Sequence, residues 1–370
     1  MKKKIVFVRS NSLSVDTRIP KEIKVLEQDF DIIFLGWERG EYKTTENRDI
    51  DYRFFNFKAP YGKKALLFIP LWWIYEFLFL LKINWDILHI VNFDSLFPGL
   101  VAAKIKRKPI IYELLDTYED SIRLPSFFRN ILVKIDRQCM KVVDKIILAD
   151  EFQNTEFKRI SNKNVYVLYD SPPDIFKDCQ IRRNPSKIFT LFYAGVLFEE
   201  RHLNIDKIID AVKDIDNVQL IIAGYGNLVP YVKKKSEEIP NKLKFIGHIT
   251  YVEAIKRAAE ASLMFQLRSS DVLIHRYICG STLLNAMMVG TPMISNKETA
   301  TAKKIIKESC GLIVDANNIE QIKNAIITLR DNPNLCKQYG SNARNAYEKY
   351  YSWELMEKRL LEIYKMIISK

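Results

Sequence analysis

Short apolar runs alternate with helix-length amphipathic stretches along most of this 370-residue chain. The first run, Lys4–Val8, is β-branched and apolar, as is typical of a strand buried on both faces of a parallel sheet. Strands that alternate with helices predict a doubly wound α/β architecture. The polar segment Lys177–Lys187 has no periodicity and separates two such series. The sequence therefore predicts two α/β domains of similar size joined by a linker, with ligands at the carboxyl ends of the strands.

The predicted strands of the first series are Lys4–Val8, Asp31–Leu35, Trp85–Val91, Pro109–Glu113, Lys145–Leu148 and Val165–Leu168. Those of the second are Phe189–Tyr193, Val218–Ala223, Leu243–Ile246, Leu263–Gln266 and Met293–Ser295. The predicted helices are Pro20–Leu26, Ile205–Val212, Leu228–Glu238, Tyr251–Ala261 and Thr282–Met288. We expect domains at 1–180 and 188–350, followed by a C-terminal helix at 351–370, after a break near Tyr351–Ser352.

Composition restricts the functional classes. Hydrophobic residues make up 48% and charged residues 28%, which indicates a globular chain. The formal net charge of +12 favours anionic partners such as phosphates or an anionic membrane surface. Because no nucleic-acid-binding motif accompanies the charge, we expect no nucleic-acid partner. The basic start, MKKKIVFVRS, is broken by Arg9 and predicts a first strand instead of a signal peptide.

The five cysteines are odd in number, are scattered and never form a C-x-x-C pair. This distribution predicts a reducing, cytoplasmic compartment and no zinc site. Three of the four histidines, His89, His202 and His275, show no metal-ligand spacing.

The segment Ala65–Leu81 contains 17 residues, is strongly apolar and is flanked by lysines. A membrane-spanning helix needs about 20 largely uncharged residues, whereas this segment contains Pro70 and Glu76. Two interpretations remain open. The segment is a core helix of the first domain, or it lies at a membrane surface with Trp72 and Trp73 at the headgroup boundary.

The segment Gly280–Pro292, GSTLLNAMMVGTP, has the features of a short helix with its own stop. Gly280, Ser281 and Thr282 are suited to the start, and apolar residues follow at helical spacing. Gly290 and Pro292 end the helix. Because a helix N-terminus exposes N–H groups, this segment predicts an anion site.

Taken in order, several segments resemble glycosyltransferase family 4, whose members have the GT-B fold of two Rossmann-like domains facing each other across a cleft. The segments are Ser14–Leu26, Phe192–Val212, Leu220–Gly226, Phe245–Ala254 and Ser281–Ser295. The resemblance covers nearly the whole chain. It implies sugar transfer from a nucleotide-sugar donor held mainly by the second domain, with retention of configuration and without a metal or other cofactor. It also implies that the C-terminal helix crosses back to the first domain.

The resemblance implies roles for individual residues. Gly195 matches a glycine that approaches the donor, although an ordinary turn glycine is the alternative. Arg201 matches a cation that neutralises the leaving diphosphate, or is a solvated loop charge, while Val196 replaces a second expected cation. Further donor-binding candidates on the same basis are Gly224, Gly226, His248, Ile249, Gly280, Ser281 and Thr282.

The chain departs from the family at two carboxylate positions. The family carries two Glu separated by seven residues, one at the donor sugar and one gripping ribose hydroxyls, and the matching residues here are Tyr277 and Asn285. An amide can still hydrogen-bond a hydroxyl but supplies no negative charge. In the first domain, Asp116 matches an aspartate that the family often has in the loop after this strand, and it is the predicted catalytic residue. It belongs to a cluster of carboxylates that includes Glu113. The alternative for this cluster is an acidic loop paired with the basic segment 104–108.

These observations predict a metal-independent, retaining glycosyltransferase, peripheral at the inner face of the membrane, with a lipid-linked or surface-glycan acceptor. Two rivals remain. One is a non-catalytic GT-B subunit that binds a partner glycosyltransferase, which the missing carboxylates favour. The other is a sugar-nucleotide epimerase, which would need a carboxylate and histidine set that the sequence does not show.

Overall fold

The computed structural model describes residues 2–13, 16–39, 50–60, 62–115, 126–156, 164–177, 188–199 and 203–369. The chain divides into two compact units. The first unit comprises residues 1–170 together with 356–370, and the second comprises 171–355. Apart from Lys177, the predicted linker lies outside the described residues.

Within the described residues, the first unit contains a seven-stranded sheet in which every pairing is parallel. Its strand order is β3-β2-β1-β4-β5-β6-β7. The strands are β1 (Lys3–Arg9), β2 (Phe30–Trp37), β3 (Asp51–Phe55), β4 (Ile87–Val91), β5 (Ile110–Leu114), β6 (Lys145–Leu148) and β7 (Val165–Val167). Val6 pairs with Ile33 on one side and with Leu88 on the other, so that the β-branched centre of β1 lies in the middle of the sheet.

Within the described residues, a helix lies between each consecutive pair of these strands except β2 and β3, as crossover connections of parallel strands require. They are α1 (Ile19–Leu26), α2 (Ile69–Lys82), α3 (Leu96–Lys106), α4 (Ser126–Met140) and α5 (Glu151–Glu156). The last helix of the chain, which we label α13 (Trp353–Ile368), contributes its residues from Met356 onward to this unit.

The apolar segment forms a 3-10 segment at Gly62–Phe68 followed by helix α2. One face of α2 packs into the first unit. Trp72 is fully buried, stacks on Trp37 and donates its indole N–H to Ser95 Oγ at 3.0 Å. The indole of Trp73 donates to the carbonyl of Asp94 at 2.7 Å. The expectation that these two indoles face lipid headgroups is therefore wrong, because both are committed to hydrogen bonds inside the unit.

Another face of the same helical segment is open. Four aliphatic side chains recur along it at helical spacing and are 44–78% exposed: Leu67, Leu71, Ile74 and Leu78. The stretch Lys64–Lys82, 19 residues with a mean hydropathy of 1.7, is long and apolar enough to cross a membrane, and 28% of it is buried. Length and composition alone are weak evidence for a span. Both interpretations of the segment are therefore partly met, since it has one face in the core and one face exposed.

Among its described residues the second unit has a six-stranded, all-parallel sheet of order β10-β9-β8-β11-β12-β13. The strands are β8 (Phe189–Val196), β9 (Val218–Tyr225), β10 (Leu243–Phe245), β11 (Leu263–Gln266), β12 (Met293–Asn296) and β13 (Gly311–Val314). The helices are α6 (Ile205–Lys213), α7 (Val229–Glu238), α8 (Tyr251–Glu260), α9 (Ser281–Val289), α10 (Ala300–Glu308), α11 (Ile319–Asp331) and α12 (Pro333–Ala346). A π-helical turn, Tyr347–Tyr351, then leads to the predicted break at Ser352.

The doubly wound α/β prediction is confirmed in both units. The predicted strands and helices are present, with ends that shift by up to three residues. Strands β3 and β13 were not predicted. Both are edge strands. β3, DYRFF, is partly polar and exposed, whereas β13, GLIV, is apolar but only four residues long.

Candidate functional site

The second unit has a sheet edge at which the strand order reverses. Connections run outward from β8 to β9 on one side and from β11 to β12 on the other. In an open α/β sheet, ligands bind outside the carboxyl ends of the strands at such a switch point. Here the two strand ends are Gly195–Val196 and Gln266–Leu267. Most of the donor-binding residues predicted from the sequence lie in loops or helix starts along this edge.

Gly224 and Gly226 permit two chain segments to touch at this edge. Their φ angles are +152° and +139°, which side chains rarely adopt. A Cβ on Gly224 would lie 2.0 Å from the carbonyl oxygen of Gly195, and one on Gly226 would lie 2.3 Å from that of Leu197. These two glycines therefore hold the β8 loop against the β9 loop. The close approach of Gly195 to a donor, which the resemblance implies, stays a prediction.

Helix α9 begins on the same edge with an N-terminus that is not capped by a side chain. Gly280 takes the N-cap position with φ −75° and ψ 148° and, as a glycine, makes no side-chain cap hydrogen bond; the N-cap residues of α6 and α7 make none either. The neighbouring helices α8 and α10 are capped, since Thr250 accepts from the N–H of Glu253 and Thr299 from that of Ala302. An uncapped first turn leaves N–H donors that an anion can satisfy.

Only three residues of α9 are not buried: Ser281, Thr282 and Asn285. They lie on one polar face of the helix, along its first two turns. Asn285 Oδ1 accepts a hydrogen bond from the hydroxyl of Tyr251, the first residue of α8, at 3.1 Å. Tyr251 is about half exposed, so this pair lies at the surface of the edge.

Three exposed aromatic side chains follow adjacent strands of the same sheet. Phe198 comes after β8, Tyr225 ends β9 and His248 comes after β10. The Tyr225 ring makes edge-to-face contacts with His248 at 5.3 Å and with Phe198 at 6.3 Å between centroids. Partly exposed rings of this kind provide faces on which a planar base can stack. Ile249, beside His248, is half-buried.

Tyr277 differs from the expectation. Its side chain is only 3% exposed, because the residue closes a short 3-10 turn, Leu273–Arg276, that packs against the unit. The Tyr277 side chain is thus turned into the unit. Asn285 is thus the one of the two carboxylate-replacing residues that faces the edge.

The structure also reveals residues that sequence reasoning missed. Gln266 ends β11, is 2% exposed and accepts from the hydroxyl of Thr301 at 2.8 Å. Its amide packs against the Cα of Gly280, so that a Cβ there would lie 2.2 Å from Nε2. Arg268 follows two residues later, at the carboxyl end of the strand beside the switch point. The sequence signal that could have identified Gln266 and Arg268 is their position at and just after the end of the apolar strand β11.

Two predicted site residues cannot be placed. Arg201 and Asp116 lie outside the described residues. Glu113, the member of the acidic cluster that the structure does place, is fully buried at the end of β5 and pairs with Arg18. Glu113 therefore does not pair with the basic segment 104–108, which was the alternative interpretation of the acidic cluster. The cation Lys108 instead pairs with Asp86 at 3.0 Å.

Glu113 belongs to a buried charge network in the first unit. His89 Nε2 lies 3.0 Å from Glu113 Oε2, and Arg18 Nε lies 2.7 Å from Glu22 Oε1. Burial favours protonation of Glu113, but Arg18 and His89 outweigh it and hold its pKa at about 2. Burial, reinforced by the charge of Glu113, raises the pKa of Glu22 to about 8.

Glu22, His89 and Glu113 bring one ligand atom each within 4.8 Å of one another, the spacing of a metal site, which the sequence spacing had not indicated. Arg18 already pairs with both carboxylates. The donor set is therefore charge-neutralised by a side chain of the chain itself, and we describe it as an ion-pair network.

Comparisons with known proteins bear on the fold and the enzyme class. Residues 174–346, nearly all of the second unit, match the family model "Glycosyl transferases group 1". An uncharacterized glycosyltransferase of Methanocaldococcus jannaschii is 24% identical, over 96% of this chain and 95% of the relative. A phosphatidyl-myo-inositol mannosyltransferase of Mycobacterium leprae is 21% identical, over 77% of this chain and 75% of the relative.

Among solved structures, HepE of Anabaena, crystallised with UDP, superimposes with a TM-score of 0.74 at 14% identity, over 98% of this chain and all of HepE. Two doubly wound units with a ligand edge in the second define the GT-B class. The chain is a glycosyltransferase with this fold, and its second unit carries the group 1 glycosyl transferase match.

Proposed function

We propose that this enzyme transfers a sugar from a nucleoside-diphosphate donor whose diphosphate binds at the N-terminus of α9. The uncapped first turn at Gly280 carries the proposal. Fixed N–H groups stabilise the negative charge that develops as the diphosphate departs, without reorganisation. The UDP named for HepE and the GDP-mannose named for a related mannosyltransferase of Corynebacterium glutamicum support a nucleotide-sugar donor.

In this proposal the chain's own groups neutralise the diphosphate, and transfer proceeds with retention and without a metal. Arg268 is suitably placed by sequence position to add a cation beside the helix start. Transfer in the presence of a chelator, with the anomeric configuration of the product determined by NMR, tests both expectations.

The substitution Ser281→Asp provides the sharpest test. An acidic residue in the first turn stabilises a helix, so the variant should fold at least as well as wild type. The same charge repels a diphosphate, and we expect nucleoside diphosphate affinity to fall at least tenfold, the ratio that about 1.4 kcal/mol produces. Ser281→Asn, similar in size and neutral, is the control. Unchanged affinity in a folded Ser281→Asp protein would remove the diphosphate from this helix.

For the acceptor, we propose a lipid-linked glycan reached from the inner, anionic face of a membrane. The exposed aliphatic face of α2 supports a membrane surface as partner. Helix α4 adds Phe127, Phe128, Ile131 and Ile135, which are 41–69% exposed, beside exposed Lys134 and Arg137. Cations of the segment 104–108, with Lys145, line a cavity of about 380 Å³. The lipid acceptors in the names of two relatives agree with this proposal.

One observation favours a second candidate function. Neither Tyr277 nor Asn285 offers a carboxylate, and Tyr277 is buried, so the chain could serve as a non-catalytic subunit for a partner glycosyltransferase. A thermal-shift panel of nucleoside diphosphates separates the two, because a ligand that binds the folded state raises apparent stability by mass action. No shift with any nucleotide would favour the subunit.

A further inference from the structure

We propose that a cavity of about 380 Å³ in the first unit binds the phosphate group of a small phosphate ester, either free in solution or as the headgroup of a lipid. We call it the basic cavity. The residues that give it this character are Lys104, Arg107, Lys108, Asp144, Lys145 and Ile367. They come from the end of α3, from the segments that lead into β5 and β6, and from the end of α13.

The basic cavity lies at the amino ends of these strands. Pro109 and Asp144, which line it, directly precede β5 and β6. A doubly wound sheet binds its substrates outside the opposite, carboxyl ends of its strands. Glu113 lies near that other end of β5. The ligand of the basic cavity is therefore distinct from the sugar acceptor, and the inference goes beyond the proposed function and does not depend on it.

The lining of the basic cavity is strongly positive. It carries four cations and one carboxylate, a formal charge of +3. One of the cations, Lys108, pairs with Asp86 at 3.0 Å. Within the described part of the chain, the other three, Lys104, Arg107 and Lys145, form no ion pair with a carboxylate. Because a concave surface lined by one sign of charge concentrates its field, this arrangement favours an anionic ligand.

The negative groups at the same edge are used inside the fold. Asp144 Oδ2 accepts a hydrogen bond from the backbone N–H of Ile110 at 3.0 Å. The carbonyl oxygen of Ala103, in the last turn of α3, accepts from the N–H of Lys108 at 3.0 Å. These oxygens are therefore committed to backbone hydrogen bonds, whereas the three cations are left without a counter-charge.

Lys145 gives the most direct indication of a missing anion. It begins β6, and only 4% of its side chain is exposed. Its ammonium donates to the hydroxyl of Tyr166 at 2.8 Å and lies 4.9 Å from the centre of that ring. A further contact, with Asn164 Oδ1 at 3.5 Å, is also neutral. Neutral partners satisfy the hydrogens of an ammonium but do not cancel its charge, and buried cations are normally paired. A bound phosphate supplies that charge.

The volume and the walls suit a phosphate ester better than a bare ion. Small-molecule sites typically enclose about 300–1,000 Å³, a range that includes the basic cavity. Ile367 contributes an apolar wall for the organic part of a ligand. Lys104 and Arg107 are exposed at the mouth, where a guanidinium can bind two phosphate oxygens at once.

Two binding measurements test the proposal and distinguish the two sources of phosphate. Calorimetric titration with glycerol 3-phosphate probes the free ester. Sedimentation with phosphatidylcholine vesicles, with and without phosphatidic acid, probes the lipid headgroup. We expect wild type to bind glycerol 3-phosphate, or to prefer vesicles with phosphatidic acid, and the probe that binds identifies the source.

Lys145→Met should weaken this binding at least tenfold, because hydrogen bonds to a charged group are lost. The variant should unfold at the same or a higher urea concentration than wild type, since a buried charge without a counter-ion is removed. A Lys145→Met protein that unfolds at a lower urea concentration would contradict the proposal, because the fold itself would then compensate the ammonium.

A second variant acts at exposed positions, where folding is little affected. Lys104→Gln with Arg107→Gln should also weaken binding at least tenfold. Lys24→Gln with Lys233→Gln removes two exposed cations elsewhere and is the control matched in charge. It should bind as wild type does, and so should Ser281→Asp, which changes the donor edge alone.

Three results would overturn the proposal. The first is a wild type that neither binds glycerol 3-phosphate nor prefers vesicles with phosphatidic acid. The second is unchanged affinity in folded Lys145→Met and in Lys104→Gln with Arg107→Gln. The third is loss of binding in Ser281→Asp, which would assign the phosphate to the donor edge.

Discussion

The imidazole of His89 and the hydroxyl of Tyr364 form a hydrogen bond of 2.6 Å, although 275 residues separate them along the chain. Both side chains are fully buried. His89 lies on β4, the central strand of the first sheet, and Tyr364 lies on the C-terminal helix α13. Through the other nitrogen of His89 the contact continues to Glu113 and Arg18. A continuous set of buried hydrogen bonds and ion pairs thus connects the last helix to Glu113 and Arg18 of the first unit.

Tyr364→Phe should destabilise the first unit. The substitution keeps the ring but leaves a buried imidazole nitrogen without its partner, which costs about 1–3 kcal/mol. We expect a matching decrease in the free energy of unfolding, measured by urea denaturation. Tyr350→Phe, on a half-exposed ring, is the control and should change stability by less than about 0.5 kcal/mol. Equal stability of wild type and Tyr364→Phe would show that this hydrogen bond contributes nothing net.

The raised pKa of Glu22 predicts a pH dependence of stability. Burial raises the pKa of Glu22 from 4.5 to about 8, so that between these values the native state keeps a proton that the unfolded chain releases. The free energy of unfolding should therefore fall as pH rises from about 5 to 8, by on the order of 3–4 kcal/mol, and level off above pH 8. Glu113, whose pKa is lowered to about 2, contributes stability that is lost only as pH falls below 4.5.

Glu22→Gln tests this prediction, because the amide mimics the protonated carboxyl at every pH. Urea denaturation across pH 5–8 should show the slope in wild type and a much flatter profile in the variant. Glu260→Gln, on an exposed side chain at the end of α8, is the matched control and should keep the wild-type slope. A wild-type profile that is flat over this window would contradict the raised pKa.

Gly224→Ala should disrupt the edge of the second sheet. The new Cβ would meet backbone, the carbonyl oxygen of Gly195, at 2.0 Å, and backbone cannot move aside as a flexible side chain can. We expect a loss of stability above about 3 kcal/mol, and loss of nucleotide binding in whatever folds. Gly247→Ala is the control, since its φ is also positive, +76°, but nothing lies within 4 Å of its Cβ. It should cost only the conformational strain, about 1 kcal/mol. Similar costs for the two variants would assign the effect to φ alone.

The architecture could be predicted because its signals are local. Central strands such as β1 and β9 are continuous apolar runs, and Gly290 ends α9 in a left-handed conformation at φ +66° as its position suggests. Edge strand β3 was missed because its sequence, DYRFF, is half polar, and β13 was missed because its apolar run, GLIV, is only four residues long. The network around Glu22 could not be predicted, because it joins residues that are distant in the chain and only the fold brings together.

The backbone of the proposed donor edge could be predicted from the sequence, whereas its side-chain contacts could not. The helix start at Gly280 and the turn at Gly224 depend on glycine chemistry, which the sequence shows directly. The burial of Tyr277 and the hydrogen bond between Tyr251 and Asn285 depend on packing between α8, α9 and the preceding turn, which no local pattern encodes. Whether α2 packs in the core or lies at a membrane surface was left open for a related reason. An almost wholly apolar sequence does not show which face of the helix is buried.

The exposed face of α2 provides the last prediction. Leu71 and Ile74 are 44% and 59% exposed on adjacent turns, and burying such side chains in a bilayer interface contributes about 1.5–3 kcal/mol each. The double substitution Leu71→Gln with Ile74→Gln should therefore weaken binding to vesicles of phosphatidylcholine and anionic phosphatidylglycerol at least tenfold in a sedimentation assay. Folding should be little affected, because neither side chain is buried in the core. Ile306→Gln removes an equally exposed aliphatic side chain, 66% exposed on α10 of the second unit, and should leave vesicle binding unchanged. If the control weakened binding as much as the double variant, attraction would depend on general surface hydrophobicity; if neither did, the α2 face would not be the membrane surface.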